Sequence, residues 1–181
     1  MNPTAKPSSG DGPRGVVLVR LMVGAVFLAE GIQKFLFPDA TGAARFARIG
    51  IPWPEIMAPF VGVVEIVCGL MIVFGLFTRW ATVLLLINIT VAILSTKIPI
   101  LLGHGYWQFK LPKLASYGFW SMAHEARTDY AMLMGLLFLL SVGGGGWSLD
   151  GVRSKHRGPA TAGGAGSRAV NEGQTERSSS E

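Results

Sequence analysis

The chain has 181 residues, enough for one domain; half are hydrophobic and only 15% are charged, against about a quarter in ordinary soluble domains. A mean hydropathy of +0.43, with the apolar residues gathered into long blocks, excludes a soluble domain assembled from short amphipathic segments. The formal net charge of +5 does not point to nucleic acid: Arg14, Arg79, Arg153, Lys155 and Arg157 flank apolar blocks, where cations set orientation and meet anionic head groups, and no nucleic-acid motif is present.

Residues 1–14, with Pro3, Pro7, Ser8, Ser9, Gly10, Gly12 and Pro13, predict a disordered arm that cannot bury enough apolar surface to offset ordering. The first apolar block, 16–37, meets the about 20 helical residues that a bilayer core requires. It is too long for a cleaved signal peptide and no small-residue cleavage site follows, so it is read as a retained span. Pro38 closes it, and a loop runs on through Gly50-Ile51-Pro52-Trp53-Pro54. The second span, 56–77, and the third, 80–102, are separated by the short Thr78-Arg79 turn and must therefore run antiparallel. Residues 103–129 mix Tyr106, Trp107, Phe109, Tyr117, Phe119 and Trp120 with His104, Lys110 and Lys113. That composition suits the head-group layer, so the segment is expected to lie on the membrane or cap the bundle. A fourth span, 130–147, reaches spanning length only by including Gly143–Gly146 and Trp147, glycine being tolerated in membrane helices. The Gly/Ser/Ala-rich remainder, 152–181, predicts a disordered basic tail. The fold class expected is an all-α membrane protein, a four-helix transmembrane bundle over residues 15–151. With four spans both termini share a side with the Thr78-Arg79 turn. That side holds nine of the sixteen Lys and Arg residues, which places both termini in the cytoplasm.

Ionisable groups inside spans are costly and raise a functional-site hypothesis. At about 100° per residue, Arg20, Gly24, Phe27, Glu30, Gly31 and Lys34 share one face of the first span, opposite Leu18, Met22, Ala25, Leu28, Ile32 and Leu36. Glu30 and Lys34, spaced i,i+4 in the favoured order, can pair locally. Glu65 sits near the middle of the second span with Ala58, Gly62, Cys68 and Gly69 on its side. A carboxylate there needs a cation or hydrogen-bond donor, or must stay protonated. Arg20 and Lys34 are the candidate cations. Each lies roughly 10 Å in depth from Glu65 on a straight-helix count, so either must extend to reach it. Asn88, central in the third span, shares a face with Ala81, Ala92 and Ser95 and is expected to point inward. Two readings stay open: buried polar pairs that fix helix register, or a polar mid-membrane pocket that binds a small molecule or relays protons. The lone Cys68 cannot make an internal disulfide, a CxxC relay or a cysteine zinc site, and reads as a small buried hydrophobe. His104, His124 and His156 lack metal-ligand spacing, so no metal site is expected.

The motifs in their order resemble the DoxX family of small bacterial four-helix membrane proteins. They are Arg20-Leu21-x-x-Gly24-x-x-Phe27-Leu28-x-x-Gly31-x-x-Lys34, Gly50-Ile51-Pro52-x-Pro54, Glu65-x-x-x-Gly69 and Gly75-Leu76-x-Thr78-Arg79. Asp129 opening the fourth span and a closing Ser148-Leu149-Asp150 complete them. The resemblance implies four spans, a place in the bacterial inner membrane and a loose link to redox chemistry. Relatives include quinone-reducing thiosulfate oxidoreductase subunits and others tied to thiol and oxidative-stress systems. The long aromatic segment before the fourth span and the basic tail depart from the family pattern, so the resemblance implies no particular substrate.

The leading functional expectation is therefore a subunit of a quinone- or thiol-linked membrane redox system. Glu65 is its proton-handling, candidate catalytic residue, with Arg20, Glu30, Lys34 and Asn88 as ligand-binding groups. The resemblance implies quinone as the candidate cofactor; no flavin, haem or iron–sulfur motif is present, so no cofactor is intrinsic to the chain and electrons come from a redox partner protein or a substrate. The alternatives are a non-catalytic anchor or assembly factor for a partner protein, and a component of a small-solute transporter. The transporter reading is weakened by the absence of an internal repeat unless the chain forms a homo-oligomer.

Overall fold

A computed structural model of the chain describes residues 15–145 and 148–150. The predicted disordered arm and tail, His156, the Arg153-Lys155-Arg157 cluster and the Gly146-Trp147 end of the fourth block lie outside the described residues. Those described are helical: α1 (Gly15–Leu36), α2 (Ala43–Ile49), α3 (Pro54–Phe74), α4 (Thr78–Leu102) and α5 (Phe119–Val142). No strand occurs among them beyond the single antiparallel bridge between Tyr106 and Phe109. The four long helices pack in a ring, α1 on α3, α3 on α4, α4 on α5 and α5 back on α1, while the short α2 packs on α3.

Among the described residues three helices are long and apolar enough to cross a membrane: α1, α3 and α4. Only about a third of each is buried within the protein. Leu18, Phe60, Ile87 and other large apolar side chains point outward, as lipid-facing surfaces do. The fourth helix differs from the expected 130–147 span. It begins at Phe119 and ends at Val142, where Gly143 takes φ +77°. Its first half carries His124, Glu125, Arg127 and Asp129, so its strongly apolar part is confined to the second half. Hydropathy hides the earlier start, because Met122, Glu125, Ala126 and Arg127 are good helix formers in a polar stretch.

Two further details depart from the sequence reading. The loop after the first span contains α2, which buries Phe46 and Ile49. It stops at Gly50 (φ +88°), whose N–H and that of Ile51 return to the Ala47 and Phe46 carbonyls, a helix end that only a left-handed residue permits. The second is a π-turn over Ile93–Lys97 within α4. Residues 103–118 fold over this end of the bundle. Lys110 N–H donates to the Ile49 carbonyl at 3.0 Å, Gly118 N–H to Ile100 at 3.0 Å, and the Tyr106 hydroxyl to Leu94 at 2.7 Å.

The closest packing is between α1 and α3, where glycines let the backbones approach. A Cβ on Gly31 would lie 2.7 Å from the Gly62 carbonyl oxygen, and one on Gly24 would lie 2.8 Å from that of Gly69. Both pairs are seven residues apart in their helices, so the seam runs along one face of each. This seam sets how closely the polar groups of α1 and α3 can meet.

Candidate functional site

The polar residues singled out in the sequence separate into two clusters at opposite ends of the bundle. Arg20 belongs to the first and does not line a cavity with the others. Its Nε donates to the Ile72 carbonyl at 2.9 Å, Nη2 to Val73 at 2.7 Å and Nη1 to Gly144 at 3.0 Å. The last turn of a helix leaves its carbonyls without intrahelical donors; a buried guanidinium here supplies them for α3. Gly75 (φ +68°) ends the same helix, its N–H and that of Leu76 bonding back to Ile72 and Met71. Asp150 completes the turn by accepting from the N–H groups of Phe77 (3.0 Å) and Thr78 (3.1 Å) at the start of α4. The Arg20, Gly75-Leu76-x-Thr78 and Asp150 motifs thus form a structural clamp on the α3–α4 turn, which supplies the missing end partners of two helices.

The second cluster surrounds a cavity of about 360 Å³ bounded by α1, α2, α3, α4 and α5. Lys34 Nζ lies 2.6 Å from Glu65 Oε2, with side chains only 9% and 6% exposed. Asn88 Nδ2 donates to Glu65 Oε1 at 2.7 Å. One carboxylate therefore joins α1, α3 and α4, with each of its oxygens engaged. Glu65 takes Lys34 rather than Arg20 as its cation. The local pairing of Glu30 with Lys34 is corrected by the structure: Lys34 Nζ reaches the Glu30 backbone carbonyl at 3.4 Å. The Glu30 carboxylate makes neither an ion pair nor a hydrogen bond among the described residues and faces the cavity.

A second ion pair on the same cavity, Lys97 Nζ to Asp129 Oδ2 at 3.0 Å, joins α4 to α5, with Lys97 buried and Asp129 half-buried. Sequence reasoning noted Asp129 only as part of a motif and passed over Lys97. Nine residues separate Lys97 from Asn88, about half a turn of face in a continuous α-helix. The π-turn inserts one residue and rotates the rest of α4 by about 100°, bringing Lys97 round to the cavity side. The available signal was the cation itself, sitting inside an apolar block.

Apolar side chains, among them Phe27, Phe46, Ile89 and Met132, complete the walls. Volume and mixed lining match small-molecule sites. Donor capacity remains: an ammonium has three N–H groups and an amide two. Lys34 gives one to Glu65 and one to Glu30, and Asn88 gives one to Glu65. Each keeps one for a ligand oxygen, so the residues present fit a carbonyl-bearing ring. Among the described residues no three His, Cys, Asp or Glu side chains gather to hold a metal. Cys68 is buried on α3 as a free thiol.

A family model described as DoxX matches residues 15–98, which include Arg20, Lys34, Glu65, Asn88 and Lys97. The chain is 52% identical over 155 residues to "Uncharacterized membrane protein Rv3486" of Mycobacterium tuberculosis (strain ATCC 25618 / H37Rv), a match covering 86% of this chain and 89% of that protein. It is 32% identical over 84 residues to "Putative oxidoreductase CatD" of Bacillus subtilis (strain 168), covering 46% of this chain and 60% of that one. No solved structure matches.

Proposed function

This chain belongs to the DoxX family of membrane proteins, and we propose that it serves a quinone- or thiol-linked redox system through the cavity around Glu65. The observation that carries this reading is the Lys34–Glu65–Asn88 triad, a carboxylate held between two donors on the wall of a cavity of mixed polar and apolar lining. A relative named as a putative oxidoreductase supports it in direction. A quinone, when bound, supplies two-electron, two-proton acceptor chemistry. The chain's own part is to hold ring oxygens with the remaining N–H groups of Lys34 and Asn88. Glu65, in contact with both, moves protons to and from that site. Electrons come from outside the chain, either from a partner protein or from a thiol substrate, two thiols becoming one disulfide with release of two electrons and two protons.

The same reading takes α5 as a fourth crossing, with both termini on the cytoplasmic side of the inner membrane. In its support, α5 runs from the Lys97–Asp129 end to the end where Asp150 caps α4, the full length of the ring. The cavity around Glu65 then lies towards the outer face, beneath α2 and residues 103–118.

The test is quinone reduction by purified protein in liposomes, with a panel of small reductants and Glu65→Gln alongside. Turnover reduced by about a hundredfold in Glu65→Gln is expected for a lost proton-handling group. Unchanged turnover in that variant removes Glu65 from the mechanism. Folded wild-type protein with no turnover favours the anchoring role instead.

A further inference from the structure

A second cavity, of about 520 Å³, lies between α2, the last turns of α4 and residues 111–114. It shares Arg45, Ile49, Thr96, Lys97 and Glu125 with the cavity around Glu65, so the two meet at one wall. Their charges differ. The central cavity sets the cations Lys34, Arg45 and Lys97 against four carboxylates. The second sets Arg45, Arg48, Lys97 and Lys113 against Glu125 alone.

Two of those four cations are engaged: Lys97 with Asp129, and Arg48 with the Asp39 carbonyl at 2.9 Å. Arg45, half-buried on α2, has neither a hydrogen bond nor an ion pair among the described residues, and Lys113 has none either. A guanidinium set into a wall of Ile49, Ile100 and Leu111 is costly without an anionic or polar partner. The backbone bond from Lys110 to Ile49 ties residues 110–114 to α2, and Lys113 and Arg45 line the same cavity. A planar guanidinium fork and an ammonium point charge lining one cavity are groups suited to phosphate oxygens.

The position narrows the source of such an anion. Trp53, Trp107 and Trp120, exposed by 74, 87 and 83%, flank this end of the bundle, and tryptophan at a helix end marks the head-group layer. At that depth the phosphodiester oxygens of anionic lipid head groups lie within reach of a cation-lined cavity. We infer that the second cavity binds a phosphate-class oxyanion through Arg45 and Lys113, either the phosphodiester of an anionic lipid or a soluble phosphate. The bound anion bridges α2 to the 103–118 segment and steadies the wall that both cavities share. The inference stands apart from the redox reading, since its measurement involves no turnover.

The full-length protein, delipidated in a neutral detergent, is titrated separately with phosphatidylglycerol, phosphatidylcholine and inorganic phosphate while its thermal unfolding midpoint is followed. A ligand that binds the folded state alone raises that midpoint. The expected result is a rise with phosphatidylglycerol, inorganic phosphate or both, and none with phosphatidylcholine. Half-saturation should weaken by roughly tenfold or more in Arg45→Gln and in Lys113→Gln, as for loss of one charge-assisted hydrogen bond. Arg79→Gln, at the far end of the bundle, should leave it unchanged. Response to the lipid but not to inorganic phosphate assigns the anion to the membrane; equal response to both assigns a soluble one. No response to either, or responses that persist undiminished in both variants, overturn the site. Lys113 lies on an exposed segment, so its variant carries the test if Arg45→Gln does not fold.

Discussion

Lys34 has two carboxylates within reach of its helix face and gives its ammonium to the more distant one in sequence. Glu30 borders the cavity and is only half-buried, whereas Glu65 is buried between helices and would otherwise be an anion with only Asn88 as partner. Removing one member of a buried pair leaves an uncompensated charge, which costs about 3 kcal/mol or more, while replacing both by apolar groups costs far less. Lys34→Met should therefore destabilise the protein by about that amount in denaturant titrations in detergent, and Lys34→Met/Glu65→Leu should recover most of it. Glu30→Gln should change stability by less than about 1 kcal/mol, as a substitution that breaks no buried contact. A double variant as unstable as the single one refutes the pairing as the source of the effect. That Glu65 needed a donor was legible in the sequence; which cation supplied it was not. Arg20 and Lys34 stood at similar depth from Glu65 on a straight-helix count. Arg20 was instead taken up by the carbonyls that end α3.

At the scale of elements, the α1–α3 seam decides how near Lys34 comes to Glu65. Gly31 faces the Gly62 carbonyl and the Glu65 Cβ, with an added methyl 2.7 Å from the first and 3.0 Å from the second. Backbone cannot yield as a flexible side chain does, so Gly31→Ala forces the helices apart. A destabilisation of about 1–3 kcal/mol is expected, as for overpacking of a core, read as a lower unfolding midpoint in detergent. Gly15→Ala, with nothing within 4 Å of the added methyl, is the matched control and should be neutral. The glycines and their shared face with the charges could be read from sequence periodicity. The π-turn in α4 could not, because a one-residue insertion in the hydrogen-bond pattern leaves the apolar block unchanged while rotating Lys97 to the cavity. The start of α5 was misplaced for a related reason: hydropathy reports where a helix meets lipid, not where it begins.

At the scale of the molecule, the number of crossings and their direction can be read with three engineered cysteines, since the native Cys68 is buried. In intact cells an impermeant thiol reagent should label Lys113→Cys and spare Arg79→Cys if the α3–α4 turn is cytoplasmic. Thr161→Cys should be spared with Arg79→Cys if α5 crosses, and labelled with Lys113→Cys if it does not. The reverse pattern for the first two inverts the orientation.

The sequence by itself determined the solvent of this protein, the placement of three helices to within three residues and the inward faces bearing Arg20, Glu65 and Asn88. Each of these follows from residue type and spacing along one helix, which a bilayer tests locally. Only the tertiary structure decided which charges meet. It sent Arg20 to the α3–α4 turn and Lys34 to Glu65, brought Lys97 to Asp129, and set Arg45 between two cavities. Those outcomes depend on how closely glycines let two backbones approach, on a rotation within α4, and on a short helix that closes the end of the ring. They are distances between elements, and no pattern within a single element contains them.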